Sequence, residues 1–141
     1  MDIDAYFMEY GTADAYLKSS NSWWSDLKLE YLVYVAAELI DPAKGDGKTI
    51  NDALGNADKK LVSVGLDLGD ISSKIEDLKA FLGTAKDFHK EGKYSSSLST
   101  TAAAFILEVA VGTLLTEASD SLGYADGYMT TADNTLYKYR P

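Results

Sequence analysis

His89 is the only imidazole in the chain, cysteine is absent, and the single arginine is Arg140. A Ser-His-Asp hydrolase would have to use His89, yet no Gly-x-Ser-x-Gly elbow is present. Lys86, Lys90 and Lys93 beside it predict a solvated histidine near the C-terminus of a helix, where the dipole favours a cation. Ribonuclease chemistry that pairs an Arg with a His a few residues later is disfavoured, because Arg140 is far from His89 in sequence. A di-iron bundle needs Glu-x-x-His on two helices, which one histidine cannot supply. Asp41-Pro42-Ala43-Lys44-Gly45-Asp46-Gly47-Lys48-Thr49 approaches a phosphate loop. Its first glycine would fall at Pro42, where a tight turn and close backbone approach are required, so the match fails. As a calcium loop it fails too, since Gly45 stands where an oxygen ligand is wanted. The residues predict no catalytic group, no metal and no cofactor.

Charge narrows the partners. Thirteen Lys plus Arg against twenty-two Asp plus Glu leave a net charge of −9 on 141 residues. Phosphate backbones are held by clustered Lys and Arg, so direct contact with nucleic acid is not expected. Absence of cysteine removes disulfides and thiolate metal sites, and with them any reading of compartment from redox chemistry. The acidic start, Met1-Asp2-Ile3-Asp4, does not read as a secretory signal. The most apolar run, residues 102–115, is interrupted by Glu108, Gly112 and Thr113 and falls short of the ~20 residues that cross a bilayer, so a buried helix is expected there.

The elements that remain are helical, in one domain over residues 1–141. A first helix is predicted over about 2–19, with Ile3, Phe7, Tyr10 and Leu17 at helical spacing, and a polar break at Ser20-Asn21-Ser22. A second, about 22–40, carries Trp24, Leu27, Tyr31, Val35 and Leu39 and stops before Asp41-Pro42. Thr49 and Asp52 fit a capping box and predict a third helix over about 49–91. Its pattern is the most informative in the chain. Leu54, Leu61, Leu68, Ile75 and Leu82 fall at heptad position a, and Ile50, Ala57, Val64, Ile71, Leu78 and Ala85 at d. Gly92 is a candidate C′ glycine. A fourth helix is predicted over about 97–139, with Leu107, Val111, Leu114, Ala118, Leu122, Ala125, Met129, Ala132, Leu136 and Tyr139 on its seam. That series contains a stutter between Ala118 and Leu122.

The predicted fold is all-α: an elongated bundle built on a long antiparallel hairpin of the third and fourth helices, with the two shorter N-terminal helices beside it. Gly55, Gly69 and Gly83 share heptad position b and suggest either a second helix-packing face or glycines tolerated in a strongly packed helix. The interface residues expected are Ile50, Leu54, Leu61, Val64, Leu68, Ile71, Ile75, Leu78 and Leu82 along the seam. Trp23, Trp24, Tyr128, Tyr137 and Tyr139 join them as aromatics of the kind enriched at interfaces. The function predicted is a non-enzymatic structural or assembly subunit in a homo-oligomer, with protein as its partner and neither nucleic acid nor membrane. An alternative is a small-molecule or partner-binding bundle with a pocket lined by Trp24, Tyr31 and Tyr34.

One stretch adds a resemblance. Gly11-Thr12-Ala13-Asp14-Ala15-Tyr16-Leu17, then Trp23 or Trp24, then residues 29–41 with Ala36, Ala37, Leu39 and Ile40, resembles the opening of small helical head-to-tail connector (neck adaptor) proteins of tailed phages. The likeness covers residues 11–41, and from Pro42 onward a long heptad helix stands where that family has a loop and shorter helices. The resemblance implies a helical fold, ring assembly and a place in a virion neck, with no catalytic residues to carry over.

Overall fold

The computed structural model describes residues 3–141. Helix accounts for 89% of the described residues and no strand occurs among them, so the class is all-α. The described residues form three helices rather than four: α1 (Ile3–Ala36), α2 (Gly45–Lys90) and α3 (Tyr94–Tyr137). Met1 and Asp2, where the first helix was expected to begin, lie outside the described residues.

The break expected at Ser20-Asn21-Ser22 does not occur, and α1 runs through it. The reason is a seam. Ile3, Tyr6, Tyr10, Ala13, Leu17, Ser20, Trp24, Leu27 and Tyr31 follow one another at alternating three and four residues, and all are buried or half-buried. Ser20 is itself buried and sits in that seam. A small hydroxyl side chain costs a helix only ~0.5 kcal/mol, far less than packing on either side returns.

α1 ends earlier than expected, at Ala36, through a Schellman motif. The Leu39 amide donates to Tyr34 O (3.0 Å) and the Glu38 amide to Val35 O (3.0 Å), with Glu38 held at φ 62°. α2 closes the same way: Lys93 N–H donates to Phe88 O (2.9 Å), Gly92 N–H to His89 O (3.1 Å), and Gly92 takes φ 75°. Here the glycine predicted for C′ is the one used.

The capping box predicted at Thr49 and Asp52 does not form. α2 begins four residues sooner, so the Thr49 hydroxyl donates to Gly45 O inside the helix (3.3 Å) and Asp52 pairs with Lys48 (2.9 Å). Turn formation lies upstream, where Asp41 Oδ1 accepts from the Ala43 amide (2.9 Å).

Two compact units can be distinguished. The first comprises the described part of Met1–Asp14 with Leu66–Ala118, the second Ala15–Gly65 with Ser119–Pro141. Each is a bundle of segments from all three helices. In the second unit the core is Leu17, Leu27 and Tyr31 of α1, Ile50, Leu54, Ala57, Leu61 and Val64 of α2, and Leu122, Ala125, Met129, Ala132 and Leu136 of α3. In the first it is Leu68, Ile71, Ile75, Leu78 and Ala85 of α2 with Ala104, Val111, Leu115 and Ala118 of α3.

The α3 series corrects the predicted stutter. Leu115, not Leu114, is the buried residue, and Val111, Leu115, Ala118, Leu122, Ala125, Met129, Ala132 and Leu136 alternate four and three without interruption.

Candidate interaction surface

The heptad seam of α2 turns inward. Ile50, Leu54, Leu61, Val64, Leu68, Ile71, Ile75 and Leu78 are all buried among the chain's own helices, so the expectation that they meet another subunit is corrected: these side chains have no surface to offer. Leu82 is half-buried. Of the aromatics expected at an interface, Trp23, Trp24, Tyr128 and Tyr139 are half-buried and Tyr137 is exposed. The glycines Gly55, Gly69 and Gly83 face open space, where an added Cβ would meet nothing within 4 Å.

The aromatic cluster expected to line a pocket is committed to structure instead. Trp24 Nε1 donates to Leu54 O (2.8 Å), the Tyr31 hydroxyl donates to Gly47 O (3.3 Å), and the Tyr34 ring lies 6.1 Å from that of Tyr139. Burial, with Asp41 nearby, pushes the Tyr31 phenol up from its ordinary value. Among the glycines Gly47 has no room for a side chain: a Cβ there would stand 1.8 Å from Asp41 O and 2.8 Å from Ile40 Cγ2.

A polar clasp holds the end of α3 in the same unit. Arg140 Nε donates to Glu30 Oε1 (2.7 Å) and its Nη2 to Asp133 Oδ1 (2.7 Å). These bonds, to Glu30 first and Asp133 second, reinforce the guanidinium charge. The Tyr139 hydroxyl donates to Asp46 Oδ2 (2.6 Å), and with Lys138 (3.3 Å) it holds the Asp46 carboxyl below the usual carboxylate range. The same bond raises the Tyr139 phenol. Thus Asp46, in the segment that resembled a phosphate loop, is committed to the clasp, while Asp41, Lys48 and Thr49 make local contacts of their own.

In the first unit, α1 is fastened by two side chains. The Tyr6 hydroxyl donates to Glu108 Oε1 (2.8 Å), and Lys79 Nζ stands 4.0 Å from the centroid of the Phe7 ring. Burial, then the bond to Glu108, pushes the Tyr6 phenol up to about 12. His89 is exposed, with its ring 5.3 Å from that of Tyr94. His89 lines an open groove of about 790 Å³ together with Leu82, Ala85, Lys86, Lys90, Ser97 and Thr101. No trio of His, Cys, Asp or Glu side chains suited to a metal ion occurs among the described residues.

What remains uncovered is apolar helix surface, and it is ordered. On α3 of the first unit, Leu98 (72% exposed), Phe105 (60%), Ile106 (71%) and Val109 (55%) stand on the side away from the core. Leu98, Ala102, Phe105, Val109, Gly112 and Thr116 alternate four and three residues, so α3 carries a second seam about a third of a turn around the helix from the buried one. By length and composition α3 is apolar enough to cross a membrane, and only 17% of its most apolar window is buried. On α1 of the second unit, Leu29, Leu32, Val33 and Ala36 form a similar exposed stripe. Sequence reasoning missed both stripes, although the spacing of the α3 stripe was there to be read. A helix apolar on two faces offers no polar side from which to tell inside from outside.

Set against protein families, curated proteins and solved structures, the chain has no match in any of the three.

Proposed function

We infer that the protein is a non-enzymatic assembly subunit that associates with copies of itself by packing one helix face on another. The observation that carries this reading is the second seam of α3. Leu98, Phe105 and Val109 stand exposed on that seam with Ile106 beside it, and a contiguous apolar patch on a surface the chain does not cover is the usual mark of an interaction site. The regular four-three alternation is what a partner helix requires. A bilayer demands no such alternation, and membrane-surface helices flank their apolar face with Lys and Arg, of which α3 has none over its whole length. The net charge of −9 further opposes contact with anionic lipid or nucleic acid. The Trp24, Tyr31 and Tyr34 pocket reading loses support, because the polar tips of Trp24 and Tyr31 are bonded to backbone oxygens. A neck or connector subunit of a phage virion is the concrete version of this proposal, and it rests on residues 11–41 alone, which lie mostly on one continuous helix, α1.

Static light scattering over a concentration series tests the proposal. The mass should rise above 15.3 kDa in the micromolar range. A constant monomer mass to high concentration overturns it.

A further inference from the structure

We propose that the groove of the first unit is a binding site for a single-chain anionic amphiphile, a carboxylate or phosphate head on an aliphatic tail. The site is separate from the outer stripe of α3 and does not depend on self-assembly.

All three helices line the groove. Leu82, Ala85, Lys86, His89 and Lys90 come from α2, Ser97 and Thr101 from the start of α3, and Ile3 and Asp4 from the start of α1. Its volume of about 790 Å³ lies within the ~300–1,000 Å³ of small-molecule sites. Polarity is graded along α2. Leu82 and Ala85 come first, and Lys86, His89 and Lys90 follow over the next two turns. Ala85 is buried and Leu82 and Ile3 are half-buried, whereas the three basic residues are exposed. A ligand charged at one end and apolar along its length matches that order. From Leu82 to Lys90 the helix advances ~12 Å, a span that an extended tail of medium length fills.

Charge makes the ligand an anion. Most of the chain's lysines are already engaged, Lys44, Lys48, Lys74 and Lys138 with carboxylates and Lys60 and Lys79 with aromatic rings. Among the described residues Lys86 and Lys90 make no such contact, although carboxylates outnumber cations in the chain. They stand four residues apart on one helix, where like charges repel, and an anion held between them turns that repulsion into attraction. Asp4 is the one carboxylate among the lining residues. The hydroxyls cannot take the head instead. Ser97 donates to Ala85 O (2.8 Å) and Thr101 to Ser97 O (2.9 Å), so both protons are committed to backbone oxygens. An ammonium is a point charge without the planar fork of arginine, so carboxylate and phosphate heads suit it alike.

Isothermal titration calorimetry with dodecanoate and with dodecyl phosphate, below micelle-forming concentrations, tests the site. The ring protons of His89 report where they bind, because the chain has no other imidazole. Both probes should bind and shift that signal. Acetate and inorganic phosphate, which lack a tail, should do so far less. Dodecyltrimethylammonium is the stringent control, since a net charge of −9 attracts it and repels the anionic probes everywhere except at a local cluster of cations. Affinity should rise roughly twofold per methylene from octanoate to dodecanoate, because an open groove buries about half of a tail that gains ~fourfold per methylene when fully buried. Lys86→Glu combined with Lys90→Glu should weaken binding by about tenfold or more, and Phe105→Glu on the outer stripe of α3 should leave it unchanged. Both lysines are exposed, and far-UV circular dichroism verifies that the variants fold. Absence of binding, tighter binding of dodecyltrimethylammonium, indifference to the lysine reversals, or loss on Phe105→Glu each overturns the site. Equal shifts of His89 by acetate and dodecanoate overturn the role of the tail. Binding to anionic vesicles without binding of either free probe makes the groove a membrane contact and overturns the proposal.

Discussion

Gly47→Ala is the sharpest perturbation of the fold. Alanine is the better helix former by ~1 kcal/mol, so propensity alone predicts stabilisation. Packing predicts the reverse. The new methyl carbon would sit 1.8 Å from Asp41 O and 2.5 Å from Asp41 C, and real Cβ contacts essentially never fall under 3.0 Å. Neither atom belongs to a flexible side chain. Either the 40–41 backbone retreats from α2 by more than an ångström, or the first turn of α2 shifts and stretches the Tyr31 bond to Gly47 O, already 3.3 Å. Overpacking of this kind costs ~1–3 kcal/mol and the bond ~0.5–1.5 kcal/mol more. After the propensity gain is returned, the net loss is about 0.5–3.5 kcal/mol. For a chain of 141 residues that lowers Tm by about 2–12 °C. Urea unfolding followed by circular dichroism and by the fluorescence of Trp24, bonded to Leu54 in the same unit, reads it directly. Gly55→Ala is the internal standard, since it is also helical but opens onto empty space, and it should gain ~1 kcal/mol. Equal or greater stability of Gly47→Ala would refute the packing argument.

The remaining predictions concern the helix end and the two polar fastenings. Glu38 is a non-glycine residue at φ 62°, so Glu38→Gly should stabilise the protein by about 1 kcal/mol in the same urea assay, and a loss would show the strain is absent. Tyr6 has a folded pKa of about 12 against an ordinary 10.0, so its contribution is complete below pH 10.0 and disappears as pH rises toward 12. Tyr6→Phe should therefore flatten the alkaline decline in stability over that window, and an unchanged profile counts against the Glu108 bond. Arg140→Ala should cost about 1 kcal/mol, a value kept low because the partners are about one-third exposed, and high salt should shrink it.

Legibility in the sequence followed how far apolar and polar residues were separated. The α2 seam from Ile50 to Ala85 was readable in full because large aliphatic side chains recur there at three and four against a polar background. In α1 the seam passes through Ser20 and Ala13, residues without hydrophobic mass, and Ser20-Asn21-Ser22 carries the local chemistry of a cap. Local signal and tertiary packing disagreed, and packing prevailed. In α3, Leu114 and Leu115 are both apolar neighbours, so spacing alone could not choose between them, and the wrong choice produced a stutter that is not there. The interface assignment failed for a related reason. A heptad pattern shows that a face must be covered, but not whether the cover comes from the same chain. Here α1 and α3 covered α2, leaving the outer stripe of α3 as the face still open.

Because α3 contains neither lysine nor arginine, trypsin has no cleavage site between Lys93 and Lys138, and amine-reactive cross-linkers have no handle there. The helix that presents the proposed contact will emerge from a digest as one long peptide, whether folded or not. Proteolytic footprinting of this protein must therefore cut at acidic or aromatic residues, of which Glu108, Glu117, Tyr124 and Tyr128 are suitably spread.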